Sequence, residues 1–382
     1  NLEYLGDKTG NHIINNARGL SFASKLSLNP QFHVVSKIIL EKYLHKLLTD
    51  GFLREGSTHY HLLFCIWLTD IKLLYSEKEF SQYLEIYEKM IKIGYSLLVL
   101  GHDRCMLPLI GDVSPDKTPT KLISFFYEDK ENNKDSLLNK SRKSEIRTNK
   151  TFIVKNNFVF LGDIIRADYG DIVLFMRVPK ETPLDFCASH EHKDYGSVVI
   201  YVSGEPLIID AGRPNYINSE RTCPYVMPNM HNFPTQKNGK YHTKRDRLTP
   251  LVLRKNKPSF SFHKSKTTFN IVIQTVGNNT VINRQIKFKN DELFIVDTIK
   301  GSVSHDFQLR YLVPKHLNFQ TLNQISEIRL KKHILKFDFE ASSTRTYNET
   351  TSSEYGSLVE SNCIIAEGRG PSKMTVTIKR LS

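Results

Sequence analysis

Hydrophobic residues in the first third of the chain recur with the period of a helix. The spacing i, i+3, i+4, which marks one buried helix face, runs through Val34 to Leu48, Tyr60 to Leu74 and Leu84 to Leu98. We expect Pro108, Gly111 and Pro115 to end this helical region, because proline lacks the amide donor that a helix interior needs. The pattern predicts an α-helical domain over residues 1–127.

The hydrophobic period shortens after residue 150. Alternating positions or short apolar runs, typical of strands, occupy residues 152–160, 171–178, 197–202, 269–276, 293–299, 328–339 and 374–378. Because no helical pattern separates them, they predict a large antiparallel β-sandwich domain over residues 151–382. The polar, charged stretch 128–150 is expected to be a linker or a surface excursion. The fold class is therefore α+β and multidomain.

Composition narrows the classes of partner. The 382 residues are 40% hydrophobic and 24% charged, which is ordinary for a globular protein, and the net charge of +13 favours a polyanionic partner. The basic residues are dispersed and no nucleic-acid-binding motif is present, so we expect no nucleic acid partner. No stretch reaches the roughly 18 apolar residues that a membrane helix needs, so no membrane partner is expected either.

Cysteines and the N-terminus say little about the compartment. The five cysteines are scattered without a close pair, which excludes a readable disulfide framework or a CxxC zinc site. The chain begins Asn1-Leu2 without Met and without a signal region, so we expect a processed chain or a fragment.

A candidate metal site begins in the His190-x-His192 segment, on a loop that enters a strand. Asp210 follows 18 residues after His192, at the end of an apolar strand, and His231 follows 21 residues later. Two imidazoles and one carboxylate are a plausible ligand set for Zn²⁺, which accepts nitrogen and oxygen. Histidine pairs also serve as hydrogen-bonded or surface residues, and the spacing alone leaves both readings open.

Two segments of the helical domain concentrate polar residues. Asn11-His12 precedes an apolar stretch, and residues 50–61 place Arg54, Glu55, Tyr60 and His61 around glycines at the start of a helix. Each has a structural reading, with Asn11 as a helix N-cap and Tyr60 as a core aromatic. So many polar groups are nevertheless costly for a plain loop.

Taken together, these segments resemble the heparinase II/III family of polysaccharide lyases. The ordered elements are Asn11-His12, the 50–61 segment, Gly111-Asp112, the His190-x-His192-x-Asp194 box, Asp210-x-Gly212 with Tyr216, His231-Asn232 with Gly239, the Asn283-Arg284 strand and the Val296-Asp297 strand. The resemblance implies a partial (α/α) toroid followed by an antiparallel β domain, because the chain holds too few helices for a complete toroid. It also implies a bacterial periplasmic or secreted location.

The resemblance assigns roles to individual residues. It implies that Asn11 binds a uronate carboxylate and that Tyr60, with His12 or His190, transfers protons. A tyrosine with its ordinary pKa of about 10 is a slow base, so nearby cations are expected to favour the phenolate of Tyr60. The candidates for this effect are His59, His61 and Arg54. The remaining implied roles are a second catalytic tyrosine (Tyr216 or Tyr225), substrate binding (Arg54, Glu55, His61, Tyr225) and a structural zinc ion (His192, Asp210, His231).

The implied activity is β-elimination on an anionic polysaccharide that contains uronic acid, such as a heparin-, heparan-, alginate- or capsule-like chain. Asn15 stands where some family members carry an acid, which leaves glycosaminoglycan specificity open. The alternative is a non-catalytic or biosynthetic relative that binds carbohydrate with the same fold.

Overall fold

The computed structural model describes most of the chain. The described residues are 10–27, 29–101, 104–127, 158–178, 190–216, 224–236, 259–263, 268–274, 281–289, 292–300, 306–317, 319–322, 325–330, 333–339 and 343–380. The expected linker 128–150 and the first part of the predicted strand 152–160 lie outside these residues.

Helices make up the N-terminal part. They are α1 (His12–Ser27), α2 (Pro30–Leu47), α3 (Thr58–Leu74), α4 (Glu77–Phe80), α5 (Leu84–Ser96) and α6 (Pro119–Phe126). Two short ribbons join them, β1 (Leu48–Thr49) with β2 (Phe52–Leu53) and β3 (Val99–Leu100) with β4 (Cys105–Met106). Side-chain caps begin several helices; Asn29 accepts from the amide of Gln31 before α2, and Ser57 accepts from the amide of Tyr60 in α3. No helix in the described part of the chain is long and apolar enough to cross a membrane.

The three predicted helices are present as α2, α3 and α5, with two corrections. Val34 and Ile38 of the first predicted stripe are 48% and 54% exposed, because only the opposite face of α2 packs into the core. The helical region also does not end at Pro115, since α6 follows with Pro119 in its first turn, where proline leaves no hydrogen bond unmade.

The described residues of the β part form three antiparallel sheets. The first holds β5 (Phe158–Leu161), β6 (Ile164–Tyr169), β7 (Ile172–Arg177), β8 (Val198–Val202) and β9 (Glu205–Ile208) in sequence order. A small sheet has the order β10-β15-β20-β19. Its strands are β10 (Thr235–Gln236), β15 (Asp306–Pro314), β19 (Ser343–Thr351) and β20 (Val359–Arg369). The largest sheet has the order β11-β12-β13-β14-β21-β18-β17-β16. Its strands are β11 (Ser259–His263), β12 (Thr268–Gln274), β13 (Val281–Lys289), β14 (Glu292–Lys300), β16 (Phe319–Leu322), β17 (Ile325–Arg329), β18 (His333–Phe339) and β21 (Ser372–Arg380). The predicted single segment 328–339 therefore spans parts of two strands, β17 and β18, which pair antiparallel.

The first sheet lies between two cores. Ile164, Phe175 and Val199 pack into the helical core, whereas their neighbours Ile165, Leu174 and Ile200 pack into the core of the other sheets. Successive strand residues point to opposite faces, so a sheet covered on both sides has continuously apolar strands. The layered packing brings the loops at the end of this sheet against the helical part, and that contact holds the candidate site.

Candidate active site

Three backbone segments cross closely where the helical part meets the β part. A side chain at Gly111 would place its Cβ 2.7 Å from the carbonyl oxygen of Gly56 and 2.8 Å from that of His190. Gly111 also has φ of 78°, a conformation that glycine adopts without strain. The next residue, Asp112, donates its amide to the carbonyl of His190 at 3.0 Å. The sequence thus keeps glycines where the two parts of the molecule must touch.

Ser57 fixes the position of Tyr60. Its hydroxyl accepts from the amide of Tyr60 at 3.1 Å and donates to the carbonyl of Asp112 at 2.6 Å. Tyr60 therefore stands in the first turn of α3, next to the crossing of the three segments.

Tyr60, Tyr216 and His190 form a contiguous group. The phenolic oxygens of Tyr60 and Tyr216 are 3.0 Å apart, and Tyr216 donates to the carbonyl of Val113 at 3.2 Å, so the Tyr60 hydroxyl is the donor between the two tyrosines. The ring of Tyr60 stacks on His190 with 3.6 Å between centroids and 10° between planes. The structure therefore brings Tyr216, rather than Tyr225, to Tyr60.

Asn11 is joined to this group through Glu55. The backbone amide of Asn11 donates to Glu55 Oε1 at 2.8 Å, and Glu55 Oε2 lies 3.5 Å from His190 Nε2. Both polar atoms of the Asn11 side chain are buried without a partner among the described residues. A buried, unpaired amide costs free energy, and such an arrangement is typical of a group kept for a ligand.

Asp112 contacts more site residues than any other side chain described above. Its Oδ2 accepts from His190 Nδ1 at 3.1 Å and its Oδ1 accepts from His192 Nε2 at 2.8 Å. Arg213 donates to both oxygens at 3.2 and 3.1 Å, and its guanidinium lies 4.6 Å from the centroid of the Tyr216 ring. Burial raises the pKa of Asp112, but the bonds from the two histidines outweigh burial and hold that pKa well below its usual range.

A group that could hold a metal ion lies beside Asp112. Ligand atoms of His192, Asp210 and His231 all lie within 4.8 Å of one another, and all three residues are buried. His192 gives its Nε2 proton to Asp112, and His231 gives its Nδ1 proton to Asp210 at 2.9 Å. The other nitrogens, His192 Nδ1 and His231 Nε2, are buried without a partner among the described residues. Two bare, buried imidazole nitrogens beside a carboxylate fit a metal cation.

The protonation of Tyr60 differs from the sequence prediction. Burial raises the pKa of Tyr60 to about 12, so its hydroxyl is protonated at neutral pH. Burial also lowers the pKa of His59 and of His61 to about 4, which leaves both rings neutral. Arg54 donates to the carbonyl of Lys46 at 2.9 Å. The prediction that His59 and His61 act as cations that favour the phenolate is therefore wrong, and the effect predicted for Arg54 stays a prediction.

Several predicted substrate-binding residues have other contacts. His61 is fully buried, accepts from the Leu53 amide at 3.3 Å and donates to the Met90 carbonyl at 3.1 Å, so neither nitrogen is left for substrate. Glu55 is also fully buried and serves to hold Asn11 and His190. In this structure both side chains contact protein groups around the site.

Two further predicted residues lie at the surface. Tyr225 pairs its hydroxyl with that of Thr350 at 3.0 Å. His12 is exposed at the start of α1, close enough to lower the pKa of the Glu55 carboxyl, although burial keeps that pKa above its ordinary value.

The sequence prediction omitted a buried arginine that joins the two parts of the molecule. Arg177 on β7 donates to the carbonyl of Gly56 at 2.7 Å, in the turn that carries Glu55. Its guanidinium also pairs with Asp163 at 2.6 Å and with Glu191 at 2.9 Å. Asp112 and Arg213 were likewise not predicted as site residues. The resemblance includes Gly111-Asp112, which pointed to Asp112 but not to Arg213.

Helices packed on one face of an antiparallel β-sandwich, with tyrosines and histidines at the junction, define the class of the protein. Residues 162–379 match the family model described as heparinase II/III-like, C-terminal. The chain belongs to this family.

Solved structures support the same fold. A heparinase III gene product matches with a TM-score of 0.68 and 16% identity over 98% of this chain and 60% of that chain. The heparan sulfate lyase from Pedobacter heparinus matches with a TM-score of 0.68 and 15% identity over 100% and 61%. A Streptomyces coelicolor chondroitin AC lyase in complex with chondroitin sulphate matches with a TM-score of 0.51 and 9% identity over 99% and 61%.

These matches confirm the predicted fold class, a partial (α/α) toroid followed by an antiparallel β domain. The chain spans about three fifths of the length of the solved structures that it matches. No curated protein matches it.

Proposed function

We propose that the protein is a polysaccharide lyase that cleaves an anionic polysaccharide containing uronic acid by β-elimination. The observation that carries the proposal is the unpaired, buried amide of Asn11, joined through Glu55 to the stacked His190 and Tyr60. The family membership and the net charge of +13 support the same substrate class.

Asn11 is proposed to bind the uronate carboxylate. Removal of the C5 proton places negative charge on this carboxylate, and a fixed amide donor stabilises that charge in the transition state. The backbone amide of Asn11 donates to Glu55, which holds the residue in place. Little reorganisation of its side chain is therefore needed when the substrate binds.

The protonation states of Tyr60 and His190 decide which of them donates and which accepts a proton. With a pKa of about 12, Tyr60 is a phenolate in roughly one molecule in 10⁵ at neutral pH, which makes it a poor resting base. We assign Tyr60 to protonate the leaving 4-oxygen. His190 donates Nδ1–H to Asp112, and we assign its Nε2 to accept the C5 proton. Glu55 Oε2, 3.5 Å from that nitrogen, then faces the imidazolium that forms. Tyr216, bonded to Tyr60, is proposed to orient its hydroxyl.

We further propose that the metal is Zn²⁺, held by His192, Asp210 and His231. Nitrogen and carboxylate donors in a group of three suit this ion. When bound, the ion ties together three loops of the β domain, which stabilises the fold around the site. Metal analysis of the purified protein should find zinc in the parent and none in His192→Ala.

The reaction is tested by incubating the protein with uronate-containing polysaccharides and following the ultraviolet absorbance of the unsaturated uronate product. The matched control is the same polysaccharide with its carboxyl groups reduced to alcohols. We expect product only from the carboxylate form. Binding without product from any member of the panel would instead favour the non-catalytic carbohydrate-binding relative. Product from the reduced form would refute the role of the carboxylate.

The proposed location is periplasmic or secreted, which suits a substrate as large as a polysaccharide. Fractionation of the cells that produce the protein would test it.

A further inference from the structure

The carboxylate of Asp112 lies between the metal-binding group and the proton-transfer group. One oxygen accepts from His192, a proposed metal ligand, and the other accepts from His190, which stacks on Tyr60. Asp112 belongs to the helical part of the chain, whereas both histidines come from the loop before β8. A single side chain thus connects two groups with different tasks.

Asp112 is held rigidly enough to transmit a change in position. It is fully buried, its amide donates to the His190 carbonyl, and its own carbonyl accepts from Ser57. Arg213 clamps both carboxylate oxygens from a third direction and lies over the ring of Tyr216. A rotation of the carboxylate would therefore disturb His190 and Tyr216 together.

The hydrogen bonds of Asp112 also set the tautomers of both histidines. His192 must carry its proton on Nε2 to donate to Asp112, which bares Nδ1, the atom that lacks a partner among the described residues. His190 must carry its proton on Nδ1 to donate to Asp112, which leaves its Nε2 facing Glu55 Oε2 at 3.5 Å. A carboxylate that accepts the second ring proton of a metal-bound histidine is a common means of orienting the ring. Here the same carboxylate orients a second histidine.

We propose that Asp112 is a positioning residue that couples metal binding at His192, Asp210 and His231 to the orientation and tautomer of His190. The assignment of His190 to proton transfer rests on the proposed function, but the coupling itself does not require a substrate. Metal binding fixes the His192 ring, the fixed ring holds the Asp112 carboxylate, and the carboxylate keeps the proton of His190 on Nδ1. The metal group therefore prepares the catalytic histidine as well as stabilising the β domain.

The first experiment uses the full chain without any variant at the coupling residue. The protein is labelled with ¹⁵N-histidine, stripped of metal and titrated with Zn²⁺ alone, and the His190 ring signals are identified by their loss in His190→Gln. We expect zinc to shift the His190 ring signals toward the single Nδ1–H tautomer, although His190 is not a ligand. Unchanged His190 signals, while those of His192 shift, would overturn the coupling.

The second experiment measures zinc affinity by competition with a chromogenic chelator. Asp112→Asn keeps the size of the side chain but cannot accept from both histidines, so we expect affinity to fall by about 10- to 100-fold. The matched control is Asp168→Asn, another buried carboxylate, whose partner is Arg166 on the same strand. Its zinc affinity should stay within about threefold of the parent.

Equal zinc affinity in a folded Asp112→Asn protein would contradict the proposal. If that variant does not fold, the titration of the parent protein decides the question. Neither readout uses a polysaccharide, so a failure of the coupling is distinguishable from a failure of the proposed lyase activity.

Discussion

Replacing Arg177 should reveal how strongly the β part stabilises the turn that carries Glu55 and Gly56. The guanidinium is 1% exposed, donates to Gly56 and pairs with Asp163 and Glu191, and Asp194 lies 3.8 Å away. Arg177→Gln removes the guanidinium that pairs with Asp163 and Glu191 and lies near Asp194. These three buried acids would then lose their shared arginine partner.

The magnitude follows from this loss. Removing one partner of a buried ion pair typically costs about 3–5 kcal/mol, because the other charge stays buried. We expect a loss of at least about that size in the free energy of unfolding, measured by urea denaturation. Arg345→Gln is the matched control, since its side chain is 59% exposed and its pair with Glu367 should contribute at most about 1 kcal/mol.

The pH dependence gives a second measure. Burial raises the pKa of Asp163 to about 6, although Arg177 opposes the shift, so ionisation of Asp163 costs stability as pH rises from about 4 to about 6. Without Arg177 this pKa rises further and the cost at about pH 8 grows, whereas at about pH 4 the carboxyl is protonated in both proteins. The stability difference between parent and Arg177→Gln should therefore shrink on acidification. An equal loss for Arg177→Gln and Arg345→Gln, or a difference independent of pH, would refute the reasoning.

Four further outcomes are expected. Asn11→Ala should lower kcat/KM by about 10²- to 10³-fold, and an unchanged rate would contradict its role. The free energy of unfolding should change by less than about 1 kcal/mol, because the side-chain amide of Asn11 bonds to no described group. Tyr355→Ala should raise KM severalfold with little effect on kcat, since its ring lies 5.4 Å from that of Tyr216 at the edge of the site; a selective fall in kcat would argue against this. His61→Ala should lower stability by about 2–4 kcal/mol in urea denaturation, because it removes the acceptor of the buried Leu53 amide and a donor to the Met90 carbonyl. A fully stable variant would contradict this role. Chelation of bound metal should lower the denaturation midpoint of the parent, and an unchanged midpoint would show that the group does not stabilise the fold.

Residues whose position follows from local periodicity could be predicted from the sequence. The residue types and spacing of His192, Asp210 and His231 make them a candidate metal group but leave the hydrogen-bonding reading open, and the family resemblance favours the metal. The structure brings their ligand atoms within 4.8 Å of one another. Helices α2, α3 and α5 follow from their apolar spacing.

Contacts between distant segments could not be predicted from spacing. Asp112 is a lone carboxylate in a loop, and its partners lie 78 to 101 residues away. Arg177 is the last residue of an apolar strand, where nothing local indicates a buried ion group. The choice between Tyr216 and Tyr225 depends on the path of the intervening loop. The protonation of Tyr60 depends on burial by both parts of the molecule.

The most direct test of the central proposal is the rate of unsaturated uronate formation by Tyr60→Phe on a substrate that the parent cleaves. The substitution removes one hydroxyl and little volume, and Tyr225→Phe is the matched control, because its hydroxyl contacts Thr350 rather than the site. We expect kcat of Tyr60→Phe to fall by about 10²- to 10⁴-fold with KM nearly unchanged, and Tyr225→Phe to keep the parent rate. A rate for Tyr60→Phe within a few-fold of the parent would show that Tyr60 is a core aromatic and would contradict the proposed mechanism.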